Sequence, residues 1–344
     1  MKPGRNVRLF LLFGWFVLFF SLYYNMKENV NYIAPIYKLA LRDATTVPRK
    51  ISYSQWSMYE KCPKQWKLSY IDGLAPFQSS IDTCFGTAFH ETLQTYLTVM
   101  YTDSIKNADR IDLRELLTTN LRNEYARTVA ECGGEHYSNP LQLAEYLEDG
   151  TAILQWFKNR RKQYFSTKDW ELIAIELELC TPASEHNPSV FWYGFIDVVM
   201  RNTKTGEILI IDIKTSRNGW NKYQKTDSLK LAQLVAYKNY FHKQFGTPLE
   251  KINIEFFIVK RKLVEESMFP QKRIQQLRPA SGTVTQRKVQ KSINAFVDHC
   301  FDATGAKNVD AAYTATAGKG AKNCKYCPFK EDYENCPKES RIRE

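Results

Sequence analysis

The chain has 344 residues, 44% hydrophobic and 25% charged, with a formal net charge of +11 and a pI near 9.1. This length admits one large domain or two modest ones, and the composition is that of a globular protein, not a disordered or fibrous one. Eight cysteines in so long a chain exclude a small disulfide scaffold. The positive charge suits a polyanionic partner but is equally that of a merely soluble basic protein.

Leu9 to Tyr24 is almost wholly apolar and follows Arg5 and Arg8. As a helix it would span roughly 24 Å, against a hydrocarbon core of about 30 Å. Two readings of residues 1–25 stand: an anchor or uncleaved signal-like segment, or an over-extended start with Met26 as the true first residue. The second is favoured by the character of the rest of the chain. Residues 26–50 read as a lead-in ending at Val47-Pro48.

Ser52 to Tyr70 is predicted helical, with Ser54 as N-cap and Trp56, Tyr59 and Trp66 near helical spacing. Gly86 to Met100 is a second helix, with Phe89, Leu93 and Leu97 on one stripe. Further helical patterning fills 110–165, most clearly Leu141 to Tyr164, and makes about 101–168 a helical insertion. Strands follow. Trp170 to Cys180 alternates, with Glu176 and Glu178 among apolar neighbours and no role assigned to either. Val190 to Met200 and Glu207 to Thr215 flank Asn202-Thr-Lys-Thr-Gly206, which reads as a hairpin turn. Leu229 to Phe245 is a helix, Lys251 to Lys260 a strand, and about 284–304 a helix. A polar tail, 318–340, carries three cysteines. The order fits one α/β domain with an added helical part.

Ile208 to Ile211 is apolar on both faces and should be a buried strand. Asp212 and Lys214 follow two apart, so they share a face. If Asn202 stands opposite Glu207, each cross-strand pair sums to 409 and Asp197 falls opposite Asp212. Opposed side chains have Cβ atoms about 4.5–5.5 Å apart. Two carboxylates so placed repel unless a cation such as Mg²⁺ lies between them. Such a cation orients water and stabilises charge on a phosphodiester, with Lys214 beside it. A plain Asp–Lys ion pair at a strand end is the competing reading.

Five motifs in order add to this. They are Ser52-Tyr-Ser54 through Cys62-Pro63, Gly86-Thr87-Ala-Phe-His90, Gly194-Phe-Ile-Asp197, Asp212-Ile213-Lys214, and Gln233-Leu-Val-Ala-Tyr237. Together, from about Ile51 to Cys336, they resemble the RecB/AddB-type branch of the PD-(D/E)XK nuclease superfamily. The resemblance implies an α/β, restriction-endonuclease-like core over 51–340, a mixed central sheet flanked by helices. It implies a Mg²⁺- or Mn²⁺-dependent deoxyribonuclease, an exonuclease in DNA recombination, repair or phage DNA processing. His90, Asp197, Asp212 and the Ile213 carbonyl would hold the metal, Lys214 would be the catalytic lysine, and Gln233 and Tyr237 would contact DNA or organise the site.

In that branch a lone early cysteine joins three late ones around a [4Fe–4S] cluster. Cys62, Cys324, Cys327 and Cys336 match this pattern. Eight residues separate Cys327 from Cys336 where the branch more often has five, and thiolates alone also suit Zn²⁺. Cys84, Cys132, Cys180 and Cys300 read as buried small hydrophobes. Trp220 and Tyr223, beside Lys222 and Lys225, are candidates to stack on a single strand. No G-x-x-x-x-G-K-[ST] is present, so unwinding would need a helicase or recombination partner. The expected location is cytoplasmic, or membrane-anchored if 9–24 is an anchor. The competing function is an inactive DNA-binding scaffold on the same fold, disfavoured by the full set of site residues.

Overall fold

The computed structural model describes residues 31–343 except 78 and 265. The apolar stretch 9–24 lies outside the described residues. No helix among those described is long and apolar enough to cross a membrane.

A mixed six-stranded sheet forms the centre. Its strands are β1 (Arg49–Ile51), β2 (Trp170–Pro182), β3 (Val190–Asn202), β4 (Ile208–Ser216), β5 (Ile252–Lys260) and β6 (Ile274–Leu277). The longer helices are α1 (Tyr53–Lys61), α2 (Ile81–Thr102), α3 (Leu113–Glu131), α4 (Pro140–Lys158), α5 (Ser228–Phe245) and α6 (Thr283–Cys300). One face of the sheet buries Ile196, Ile208, Ile210 and Phe256 with Trp56, Leu234 and Phe296, from α1, α5 and α6. The other buries Val198, Ile211, Ile213 and Phe257 with Phe89, Leu117 and Leu154, from α2, α3 and α4. The predicted insertion thus supplies α3 and α4, which join α2 as the second helical layer of a helix–sheet–helix sandwich.

The hairpin register is as expected. Asn202 N–H donates to the Glu207 carbonyl (2.8 Å) and Gly206 N–H to the Asn202 carbonyl (2.9 Å). Arg201 then pairs Ile208, and Val198 pairs Ile211. Gly206, at φ +68°, supplies the left-handed residue that closes the turn.

The helix predicted over Ser52 to Tyr70 is interrupted. α1 ends at Lys61, and a new turn begins at Pro63, which offers no backbone N–H to continue the old one. Its N-cap is Ser52, which accepts from Gln55 N–H, not Ser54. The last long helix stops at Cys300, not near 304. β1 and β6, of three and four residues, were not anticipated. Of the scattered cysteines, Cys84, Cys180 and Cys300 are buried and Cys132 is half-buried.

Candidate active site

β3 is paired along most of its length by β2 on one side, but its other edge is shared. β1 pairs with residues 190–192 in parallel, and β4 with residues 198–201 in antiparallel sense. Between them the ladder is open, and Asp197 stands at the near end of that opening. Asp197 and Asp212 therefore do not form a ladder pair. The Ile213 N–H donates instead to the Asp197 carboxylate, Oδ2, at 2.6 Å. A side chain here replaces the missing strand bond and fixes Asp197 in place.

The opening also lets both faces of the sheet reach one point. Asp212 and Lys214 alternate with Ile211 and Ile213, so they lie on the α5 side. His90 arrives from α2 on the other side. Gly86 lets α2 come close, since a Cβ there would meet Thr215 Oγ1 of β4 at 3.2 Å. His90 Nδ1 lies 3.7 Å from Asp197 Oδ2, and Lys214 Nζ lies 2.8 Å from Asp212 Oδ2. Asp212 is 1% exposed. Its Oδ2 has the lysine as a neighbour, but no donor aligned for a hydrogen bond among the described residues.

Burial, and then the Asp212 charge, hold the Asp197 carboxyl well above its ordinary range, and burial does the same to Asp212 against the pull of Lys214. Burial opposes the Lys214 charge, but Asp212 and Asp197 together outweigh it and raise the ammonium. Burial, followed by Lys214, lowers His90 to about 3, so its imidazole is neutral and has a lone pair to give at neutral pH.

Gln233 and Tyr237 are both buried on α5, where Gln233 Nε2 donates to the Tyr237 hydroxyl at 3.3 Å. Burial and then Asp212 raise that phenol. A Cβ on Gly194 would lie 3.7 Å from the Tyr237 ring, so the tyrosine packs closely against β3 there.

A family model for the PD-(D/E)XK nuclease superfamily matches residues 50–331. The chain belongs to that superfamily. Members generally use a divalent metal, and the mixed sheet with its helical layers is the superfamily's α/β fold. Over 117 residues, 26% of this chain, it is 31% identical to an uncharacterized protein, UU146, of Ureaplasma parvum serovar 3. The match covers 52% of that relative, so the chain spans about half its length. Among solved structures, the crystal structure of SSO0001 is similar over 91% of this chain and 95% of that one, at 13% identity and a TM-score of 0.32.

A nuclease of this superfamily must gather ligands for a cation, and the residues here fit one. The donors are two carboxylates and a neutral imidazole, and a buried carboxylate oxygen lacks an aligned donor. No three His, Cys, Asp or Glu side chains among the described residues are already gathered at ion-binding spacing.

Glu176 was not assigned from sequence. β2 pairs Ile175 with Val198 and Leu177 with Ile196, so Glu176 falls opposite Asp197. It has φ +50°, a left-handed conformation that costs a non-glycine residue about 1–3 kcal/mol. The faces of both strands switch there: Ile175 and Val198 belong to the α2-side core, Leu177 and Ile196 to the α5-side core. Gln94 of α2 is 2% exposed. Its Nε2 donates to Glu176 Oε1 (2.5 Å) and to the Asp197 carbonyl (3.2 Å). A single sequence carries no signal for such a residue; only its apolar flanks hinted at burial.

The four tail-pattern thiols, Cys62, Cys324, Cys327 and Cys336, line one cavity with Leu68, Ala315 and Phe329. Thr316 N–H points at Cys62 Sγ (3.3 Å), and Arg341 Nη2 donates to the Cys336 carbonyl (2.6 Å). β7 (Ala315–Thr316) and β8 (Arg341–Ile342) pair in parallel and close the tail around them. Trp220 is buried against Phe256, with ring centroids 4.9 Å apart, and Lys230 lies over it. It is a core residue rather than a stacking platform. Tyr223 is 72% exposed, with the Lys222 ammonium 5.0 Å from its ring centroid.

A pH prediction follows from the raised carboxyls. A group whose pKa is higher folded than unfolded contributes stability that is present at low pH and lost as pH rises through the folded value. Asp212 therefore opposes folding of the metal-free protein at neutral pH. Asp212→Asn should melt higher than wild type in chelator, by a margin that widens from pH 4 to pH 8. Melting curves across that range check it, and a margin that narrows would contradict it.

Proposed function

We propose that this protein is a Mg²⁺- or Mn²⁺-dependent deoxyribonuclease of the RecB/AddB-like branch, and that it degrades DNA from its ends. The observation that carries this reading is the meeting of His90, Asp197, Asp212 and Lys214 at the opening in the sheet. A bound divalent cation supplies Lewis acidity and a water of lowered pKa. The residues do the rest. Asp197 and Asp212 hold the cation from two strands, and the neutral His90 adds a nitrogen ligand. The Ile213 carbonyl is the further ligand the branch would use. Lys214 positions the attacking water and offsets charge on the phosphorane. Gln233 and Tyr237 keep the α5 side closed. Basic surface residues contact phosphates, so binding weakens steeply with salt.

A [4Fe–4S] cluster on Cys62, Cys324, Cys327 and Cys336 would staple the two ends of the domain. The four thiols line one cavity, and thiolate-only ligation suits an iron–sulfur cluster, with Zn²⁺ as the alternative. Anaerobically purified protein should be brown, with iron and sulfide in about a four-to-one ratio to chain for each. Colourless protein with one zinc contradicts it. Context in recombination or repair, a helicase partner and a cytoplasmic location go with this reading.

End specificity is tested with 5′- and 3′-labelled linear DNA and a covalently closed circle in Mg²⁺. Loss of linear DNA with the circle intact is expected. Cleavage of both at equal rates would make the protein an endonuclease.

A further inference from the structure

The cavity that Cys62, Cys324, Cys327 and Cys336 share has Leu68, Ala315 and Phe329 buried in its wall. Four thiolates around a [4Fe–4S] core, or around Zn²⁺, keep a net charge of about −2. Against an apolar wall such a charge is costly unless cations or hydrogen-bond donors offset it. The residues lining the cavity include no carboxylate and two cations, Lys330 and Arg341. The Lys330 side chain is 50% exposed and lies 3.9 Å from the Glu331 carboxylate, so water and that charge screen it. Arg341 differs. Its Nε is buried and has no hydrogen-bond partner among the described residues. A donor of a charged group left in that state is costly to bury.

The fold brings this guanidinium to the thiols. In the parallel pair of β7 and β8, Arg341 stands opposite Ala315 and Ile342 opposite Thr316. The Ala317 N–H extends the pair by donating to the Ile342 carbonyl at 2.8 Å. The same short ladder carries Thr316, whose N–H points at Cys62 Sγ. It also places Arg341 Nη2 on the carbonyls of Cys336 (2.6 Å) and Lys330 (2.8 Å). One backbone donor thus serves the first cysteine of the set. The guanidinium is fastened beside the last, with its Nε–H still unused.

We propose that Arg341 is the charge partner of the four-thiolate site, a positioning residue whose Nε–H is kept for a sulfur of the bound cluster. This rests on the cluster reading above. The cysteines hold the cluster, and Arg341 offsets the negative charge they bring. Its planar fork can fasten one end to backbone carbonyls and still present Nε, which a lysine ammonium cannot do. Taking up an electron makes the site more negative, and a fixed cation beside it favours that form. Removing the guanidinium therefore lowers the reduction potential and loosens the cluster.

The test uses the full chain, reconstituted anaerobically with iron and sulfide, as wild type, Arg341→Gln, Arg341→Lys and Arg343→Gln. Arg343 is exposed and does not line the cavity, so its loss removes the same charge from the tail without touching the thiols. Arg341→Gln should hold its iron against chelator about 10–100-fold more weakly than wild type. It should also be reduced at a lower potential in a spectroelectrochemical titration. Arg341→Lys should recover part of both properties, and Arg343→Gln should match wild type. If loaded Arg341→Gln matches wild type in both, this inference falls and the cluster reading stands. If neither Arg341 variant takes up a cluster, Arg341 serves the fold of the tail and the inference also falls. It falls again if Arg343→Gln shifts both properties as far as Arg341→Gln does. A wild-type chain that takes up no iron–sulfur cluster overturns both readings.

Discussion

Lys214→Ala is expected to lower the rate of DNA hydrolysis by about 10²–10³-fold, the usual loss for a preorganised charge at a transition state. Cation affinity should be undiminished, because the lysine competes with the metal for the same carboxylates. Its Nζ lies 2.8 Å from Asp212 Oδ2, and both Asp212 and Asp197 hold it protonated. Without DNA and without metal, Asp212 loses its compensating charge, and the variant should melt below wild type. The loss is limited, since burial already raises the Asp212 pKa and the acid can neutralise by taking up a proton. Added Mg²⁺ should close the gap in melting temperature but not the gap in rate. Single-turnover kinetics at saturating metal separate the two, and a variant rescued in rate by more metal would show that Lys214 only tunes metal binding.

Trp66→Ala should be strongly destabilising, costing about 3–5 kcal/mol. Trp66 is wholly buried. Its ring meets Phe296 at 5.4 Å, Tyr313 at 5.7 Å, Phe301 at 5.8 Å and Tyr70 at 6.1 Å. It lies one turn after Cys62, to whose carbonyl its N–H donates at 3.2 Å. It therefore joins α6, the segment carrying Cys62 and the chain leading to the cysteine tail. Its indole N–H has no partner among the described residues. Trp66→Phe should then cost much less than Trp66→Ala, since it keeps the aromatic packing and removes an unsatisfied donor. Urea denaturation of the two variants checks this. Equal losses would mean that contacts particular to the indole, not aromatic packing, set the cost.

The parts of the site legible in the sequence are those set by local chemistry. Asn202 to Gly206 fixes the turn, the turn fixes the register, and the register brings Asp197 and Asp212 to neighbouring strands. The apolar run Ile208–Ile211 announces a buried strand, so the charges that follow it had to be compensated. What the sequence hid depends on distant pairing. Three residues, Arg49–Ile51, take the edge of β3 that β4 leaves free, and only then does the sheet open at Asp197. So short a strand has no periodicity to read. The direct opposition of Asp197 and Asp212 gave way to a side-chain-to-backbone bond for the same reason. Glu176 looked like one polar residue in an alternating strand, and its left-handed backbone has no signature in a glutamate. Cys62 lies more than 250 residues before the other thiols, so its convergence with them was legible from motif order alone.

The central claim is that hydrolysis is carried out at Asp197, Asp212 and Lys214 with a divalent cation. The most direct measurement is release of nucleotides from labelled linear DNA by wild type, Asp197→Asn and Asp212→Asn, each with Mg²⁺ and with chelator. The account predicts degradation by wild type with Mg²⁺ alone, and loss of at least about a thousandfold in each folded variant. Degradation by wild type in chelator, or by either variant at the wild-type rate, would contradict it.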